Sequence, residues 1–189
     1  IYKQMFIEAS KPEQRAEPEA LRLYLQRSFN AYMKVWAEVK TPETTYQGVN
    51  ALAIAYMAQA AKLADPEDAA EAKALAVEII ETSRSTTNDS PWALATRGEA
   101  LIALERFEEA TQAFAAYADH AGIDSFELGA SLRQLEQVWG LKGDDPVRGQ
   151  PVRILKAALL AKVDELAAAN RAASKAPAEL QPERVQMTP

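Results

Sequence analysis

The stretch PWALATRGEALIALERFEEATQAFAAY, Pro91–Tyr117, decides the fold. It opens on Ser90-Pro91, a serine suited to cap a helix and a proline that fits the first helical turn. That helix closes near Leu104. A second follows, with Phe107, Ala110, Phe114 and Tyr117 at steps of three, four and three, which is one helical face. So short a turn folds the second helix back along the first. Gly98 and Ala110 let the two backbones approach, and Phe107 and Phe114 fill the space beside them.

The same alternation extends in both directions. Upstream, Pro18 opens a long helix. Its face carries Leu21, Tyr24, Leu25, Ser28, Tyr32, Val35, Trp36 and Val39, and it stops before Pro42. A helix from about Tyr46 to Leu63 follows, then one from Pro66 to about Thr82, and a polar linker over Ser85–Asp89. Downstream, Asp124-Ser125-Phe126-Glu127 reads as a capping box ahead of a helix with Leu128, Leu132, Leu135 and Trp139 on one face. Gly140, Gly143, Asp144, Asp145, Pro146, Gly149 and Pro151 form the strongest breaker cluster. A last helix has Val152, Leu155, Leu159, Val163 and Leu166 as its stripe. The chain therefore divides into an N-terminal segment 1–17 of unassigned structure, a helical domain 18–173, and a C-terminal tail or linker 174–189. A strand or the tail of a helix would each suit Ile1–Ser10.

Composition agrees with an all-α chain. Of 189 residues, 38 are Ala and 7 are Gly, a balance that favours helix. Lys and Arg number 21 against 27 Asp and Glu, a net charge of −6, which argues against a nucleic-acid binder. No Cys is present, which excludes disulfides, zinc knuckles, iron–sulfur clusters and a thiol nucleophile. One His excludes a His-pair metal site. The longest uncharged run, Thr44–Ala61, is too polar to span a membrane. A cytoplasmic protein without membrane attachment is the expectation. Charge is uneven: Asp65–Glu81 is net −5 and Arg148–Lys175 net +4. Two solvated faces account for this, although a basic last helix docking on an acidic partner would give the same pattern.

About seven helices in antiparallel pairs resemble the tetratricopeptide pattern, an array that stacks as a right-handed α-solenoid segment. Gly98 takes the small position of the first helix, and Phe107, Ala110 and Phe114 the aromatic, small and aromatic positions of the second. Leu94 stands where Trp is usual, Glu105 at the turn Gly, and Arg97 where a core Leu is expected. A longer pattern is also present. Tyr46-Gln47-Gly48-Val49-Asn50-Ala51 resembles the Y-x-G-I-N-A element of the TRAFs-binding domain family of MAP-kinase kinase kinases. Trp92–Thr96, Glu99-Ala100 and Ser131–Leu135 resemble its later elements in the same order. The resemblance implies a tetratricopeptide-like array that regulates an effector. In animals the family acts on stress-activated kinases; bacterial relatives accompany effectors and sense a nucleotide-like ligand or a partner.

Setting Gly98 against Ala51 puts Arg97 and Asn50 at one position of two successive first helices, which in such arrays line the concave surface. Tyr46, Asn50, Trp92, Thr96, Arg97, Glu99, Arg133 and Gln134 are therefore expected to converge on a groove. Arg97 and Arg133 would hold phosphate or carboxylate, Asn50 and Gln134 would hydrogen-bond, and Tyr46 and Trp92 would be flat walls. The plainer alternative has Arg97 paired on an adjacent helix and Asn50 capping a loop. His120 ends a helix with no nucleophile in reach of its spacing. No glycine-rich phosphate loop or calcium loop is present. The expected function is thus non-catalytic and free of cofactors. It is a sensor of a small anionic, nucleotide-like ligand or of a protein partner, linked to an effector. The alternative is a scaffold that holds a peptide or helix.

Overall fold

The computed structural model of the chain describes residues 2–11, 16–64, 66–84 and 90–175. Among them the helices are α1 (Tyr2–Ala9), α2 (Pro18–Glu38), α3 (Thr45–Ala60), α4 (Pro66–Ser83), α5 (Pro91–Ala103), α6 (Phe107–Ala118), α7 (Ser125–Gln137) and α8 (Gln150–Lys175). A 3-10 turn over Pro42–Thr44 leads into α3, and no strand occurs among the described residues. The chain is all-helical. The expected linker Ser85–Asp89 and residues 176–189 of the expected tail lie outside the described residues.

The opening segment, which by sequence suits a strand or the tail of a helix, takes the helical alternative. It contains a helix, α1, and the strand alternative is excluded over Tyr2–Ala9. Lys3, Phe6 and Ile7 share one helical face; Phe6 is buried, and Ile7 packs against the core. At the other end α8 continues past Ala173 to Lys175.

Sequence signals place the helix ends. Ser90 Oγ accepts the Ala93 N–H at 3.2 Å. Asp124 and Glu127 close a reciprocal capping box, each side chain accepting the other's backbone N–H, at 2.8 and 3.2 Å. α3 is the most enclosed helix, buried continuously from Gly48 to Ile54, and it packs against α2, α4 and α5. α5 lies on α6, and both α6 and α7 lie on α8. The α5–α6 contact is as close as the sequence demands. A Cβ added at Gly98 would stand 2.6 Å from the Phe114 ring.

After α7 the chain folds inward. Trp139 is fully buried, its ring 4.9 Å from that of Tyr56 at the far end of α3. Arg153 holds the loop that follows, donating from Nη1 to the carbonyls of Gly143 and Asp145 at 2.6 and 2.9 Å. α3, α5 and α7 together line a common hollow. No helix among the described residues is long and apolar enough to cross a membrane.

Candidate functional site

Six of the eight expected residues line one cavity of about 1070 Å³: Tyr46 and Asn50 on α3, Trp92, Thr96 and Glu99 on α5, and Gln134 on α7. Their spacing explains the convergence. Tyr46 and Asn50 are four apart; Trp92, Thr96 and Glu99 step by four and three, so each set is a single stripe. The stripes run from rim to floor. Tyr46 and Trp92 stand at the rim, 51% and 54% exposed, whereas Asn50 and Thr96 are buried.

Arg97 and Arg133 do not join them, and the expectation that they would is corrected. Arg97 follows Thr96 by one residue, which turns it about 100° from the stripe. Its guanidinium reaches the end of α4, where Nη2 donates to Ser83 O at 3.3 Å and Nε to Ser83 Oγ at 3.4 Å. Arg133 precedes Gln134 by one residue and is exposed. It lies over Gly129 on its own helix.

Lys3 was missed by the sequence reading, and it completes the floor. It enters from α1 and lines the same cavity. Its Nζ donates to Asn50 Oδ1 at 2.7 Å and to Gln134 Oε1 at 3.3 Å. Gln134 Nε2 in turn donates to Glu99 Oε2 at 3.1 Å, and Trp139 Nε1 donates to the same oxygen at 2.7 Å. Asn50 Nδ2 donates to Tyr46 O at 2.8 Å. The sequence signal for Lys3 was its helical spacing from Phe6 and Ile7, which was too short a run to assign.

Burial dominates the electrostatics of this floor. It pushes the Glu99 carboxyl above the ordinary carboxylate range; hydrogen bonds from Trp139 and Gln134 and the Lys3 charge pull the other way without cancelling it. Burial likewise pulls the Lys3 ammonium below its ordinary value, and the Glu99 charge opposes that. The floor therefore offers carbonyl and carboxylate acceptors in a poorly solvated place.

Among the described residues, hydroxyls at the cavity bond to neighbouring groups, and Thr45 Oγ1 donates to Pro42 O at 2.6 Å. Ser131 Oγ, on the cavity wall, donates to Tyr117 Oη at 2.9 Å. His120 Nδ1 accepts the Gly122 N–H at 3.1 Å beyond the end of α6. Among the described residues, no three His, Asp or Glu side chains are grouped to hold a metal ion. The arrangement suits recognition by shape and hydrogen bonding. No family model, no curated protein and no solved structure matches the chain.

Proposed function

We propose that the chain is a non-catalytic binding module of tetratricopeptide-like architecture, whose cavity takes a segment of a protein partner and so couples that partner to an associated effector. Pairing supports the architecture. α3 with α4, α5 with α6 and α7 with α8 form successive pairs, while α3 also lies on α5 and α6 on α8, first helix to first and second to second. The elements resembling the TRAFs-binding domain family fall on α3, α5 and α7, all of which line the cavity.

One observation carries the functional side. A cavity walled by side chains as far apart in sequence as Lys3 and Gln134 has an exposed aromatic rim over a hydrogen-bonded floor. Aromatic rings at a rim supply contact area with little loss of rotamer freedom, and fixed polar groups beneath supply specificity. A partner segment is favoured over an anionic, nucleotide-like ligand because the floor presents acceptors. The two arginines suited to an anion lie elsewhere.

A photo-crosslinking amino acid placed at Trp92 tests this. It is expected to capture a partner that the same group at Phe126, 75% exposed on α7, does not. Filling the cavity through Thr96→Phe is expected to abolish the capture. Equal capture from both positions, or capture indifferent to Thr96→Phe in a chain of unchanged helix content, rejects the proposal. A nucleotide that raises the melting temperature of the unsubstituted chain, and not of Thr96→Phe, would favour the small-ligand alternative.

A further inference from the structure

The cavity floor is already engaged by an ammonium group. Lys3 Nζ meets Asn50 Oδ1 and Gln134 Oε1 beside the Glu99 carboxyl. The three acceptor residues come from α3, α5 and α7, and Lys3 from a fourth helix. Each amide is oriented by a bond that does not involve Lys3. Asn50 Nδ2 is committed to Tyr46 O, which leaves Oδ1 facing the floor. Gln134 Nε2 is committed to Glu99, which turns Oε1 toward Lys3. Glu99 is itself anchored by the buried Trp139 indole. The acceptors therefore hold their positions independently of the cation.

The geometry suits lysine in particular. Two amide oxygens, Asn50 Oδ1 and Gln134 Oε1, meet at the one ammonium nitrogen with the Glu99 charge nearby, which suits a compact head with several N–H donors better than the planar arginine fork. The cavity is also far larger than one lysine stem, since it extends past Lys3 to the aromatic rim. Among the described residues the helix that carries Lys3 spans Tyr2–Ala9, and tertiary contacts hold it against the rest of the chain. Phe6 and Lys3 are its anchors.

We infer that the cavity floor is a binding site for a primary ammonium, filled in this chain by Lys3 of α1, and that a partner segment entering the cavity presents a lysine that takes its place. The inference rests on the binding-module proposal above and adds the chemistry of the occupant. α1 then acts as an internal competitor. Binding at the floor and release of α1 are one linked equilibrium, because two ammonium groups cannot share the same acceptors.

The test uses the full chain with two probes, Nα-acetyl-lysine methylamide and its norleucine counterpart, which keeps the stem and lacks the ammonium. Titrations by calorimetry compare the unsubstituted chain with Lys3→Ala, with Lys3→Ser repeating the measurement should the alanine variant lose helix. Lys3→Ala is expected to bind the lysine probe at least tenfold more tightly than the norleucine probe. The unsubstituted chain is expected to bind the lysine probe about tenfold more weakly than Lys3→Ala does. Saturation of the unsubstituted chain is expected to accelerate hydrogen exchange in the α1 amides. Equal affinity of the two probes for Lys3→Ala overturns the ammonium site while leaving the cavity a binding site. No binding of either probe to a helical variant also overturns it, and the crosslinking experiment at Trp92 then judges the broader proposal separately.

Discussion

Lys3 Nζ donates to Asn50 Oδ1 at 2.7 Å across 47 positions of sequence. That bond ties the first helix of the chain to its most enclosed one. Asn50 is 2% exposed and uses both ends of its amide, one on Lys3 and one on Tyr46 O. Removing it leaves a half-buried donor on α1 without its shorter bond, and empties the space of a buried amide. Asn50→Ala is expected to cost about 1–3 kcal/mol, the penalty for stranding a polar partner. Urea denaturation measures the loss, and hydrogen exchange is expected to show α1 opening before the rest. A loss spread uniformly through the helices would show that the bond does not hold α1.

Acidity of the floor sets a pH dependence with a definite sign. Glu99 holds its proton more tightly in the folded chain, because burial raises its pKa from the ordinary 4.5. The folded state then binds more protons than the unfolded one, so stability falls as pH rises. The contribution is complete below 4.5 and is lost as pH climbs through the raised value. Lys3 acts in the opposite sense at the alkaline end. Its pKa is lowered from 10.5, so its contribution is present above 10.5 and lost as pH falls through the lowered value. Glu99→Gln keeps an oxygen for the Trp139 indole and removes the acid titration. Thermal melts of parent and variant are expected to lie closest near pH 4.5 and to separate in the variant's favour toward neutrality. Parallel curves across that range would show that burial does not raise the Glu99 carboxyl above its ordinary value.

Helices and their ends were legible because their signals are local. Ser90, Pro91, Asp124 and Glu127 each act within one turn, and the stripe Phe107, Ala110, Phe114 needs only a period of 3.6. The cavity was legible in part for the same reason. Tyr46 with Asn50, and Trp92 with Thr96 and Glu99, share faces by spacing alone. Arg97 was misplaced because setting two helices in register by Gly98 and Ala51 ignores the turn of about 100° that separates neighbouring residues. Lys3 was not legible at all. Its partners stand 47 and 131 positions away, and an eight-residue helix carries too few periods to announce itself. Burial of Trp139 against Tyr56 depends likewise on how the loop after α7 folds back, which no local pattern encodes.

Close packing at Gly98 has a measurable consequence. A methyl group there would overlap the Phe114 ring at 2.6 Å. Alanine gains up to about 1 kcal/mol of helix propensity over glycine, but overpacking a tight core costs about 1–3 kcal/mol. Gly98→Ala is expected to lose stability on balance. Combining it with Phe114→Leu is expected to cost less than the sum of the two single changes, since leucine vacates the overlapped space. A double-mutant cycle by chemical denaturation checks this; additive costs would mean the two helices are not in contact at Gly98.

Glu105 follows the end of α5 with φ of 58°, a left-handed conformation that favours glycine after a helix. The tetratricopeptide pattern has glycine at this turn. Glu105→Gly is expected to relieve strain and stabilise the chain by about 1 kcal/mol, which for a chain of this size raises the melting temperature by roughly 2–4 °C. Calorimetry reads the shift. A lower melting temperature would show that the glutamate side chain contributes more than its backbone costs.

Arg97 separates stability from binding. Its guanidinium serves the last turn of α4, donating to the Ser83 carbonyl and hydroxyl, where a cation also faces the negative end of the helix dipole. Arg97→Ala is expected to lower stability by about 1 kcal/mol, the size of one charge-assisted bond at a partly exposed site. It leaves the floor formed by Asn50, Glu99 and Gln134 untouched. Capture of a partner by the crosslinker at Trp92 is therefore expected to be unchanged in Arg97→Ala and lost in Thr96→Phe. The opposite pattern, capture lost with Arg97→Ala at unchanged stability, would return the arginine to the binding surface and with it the anionic ligand.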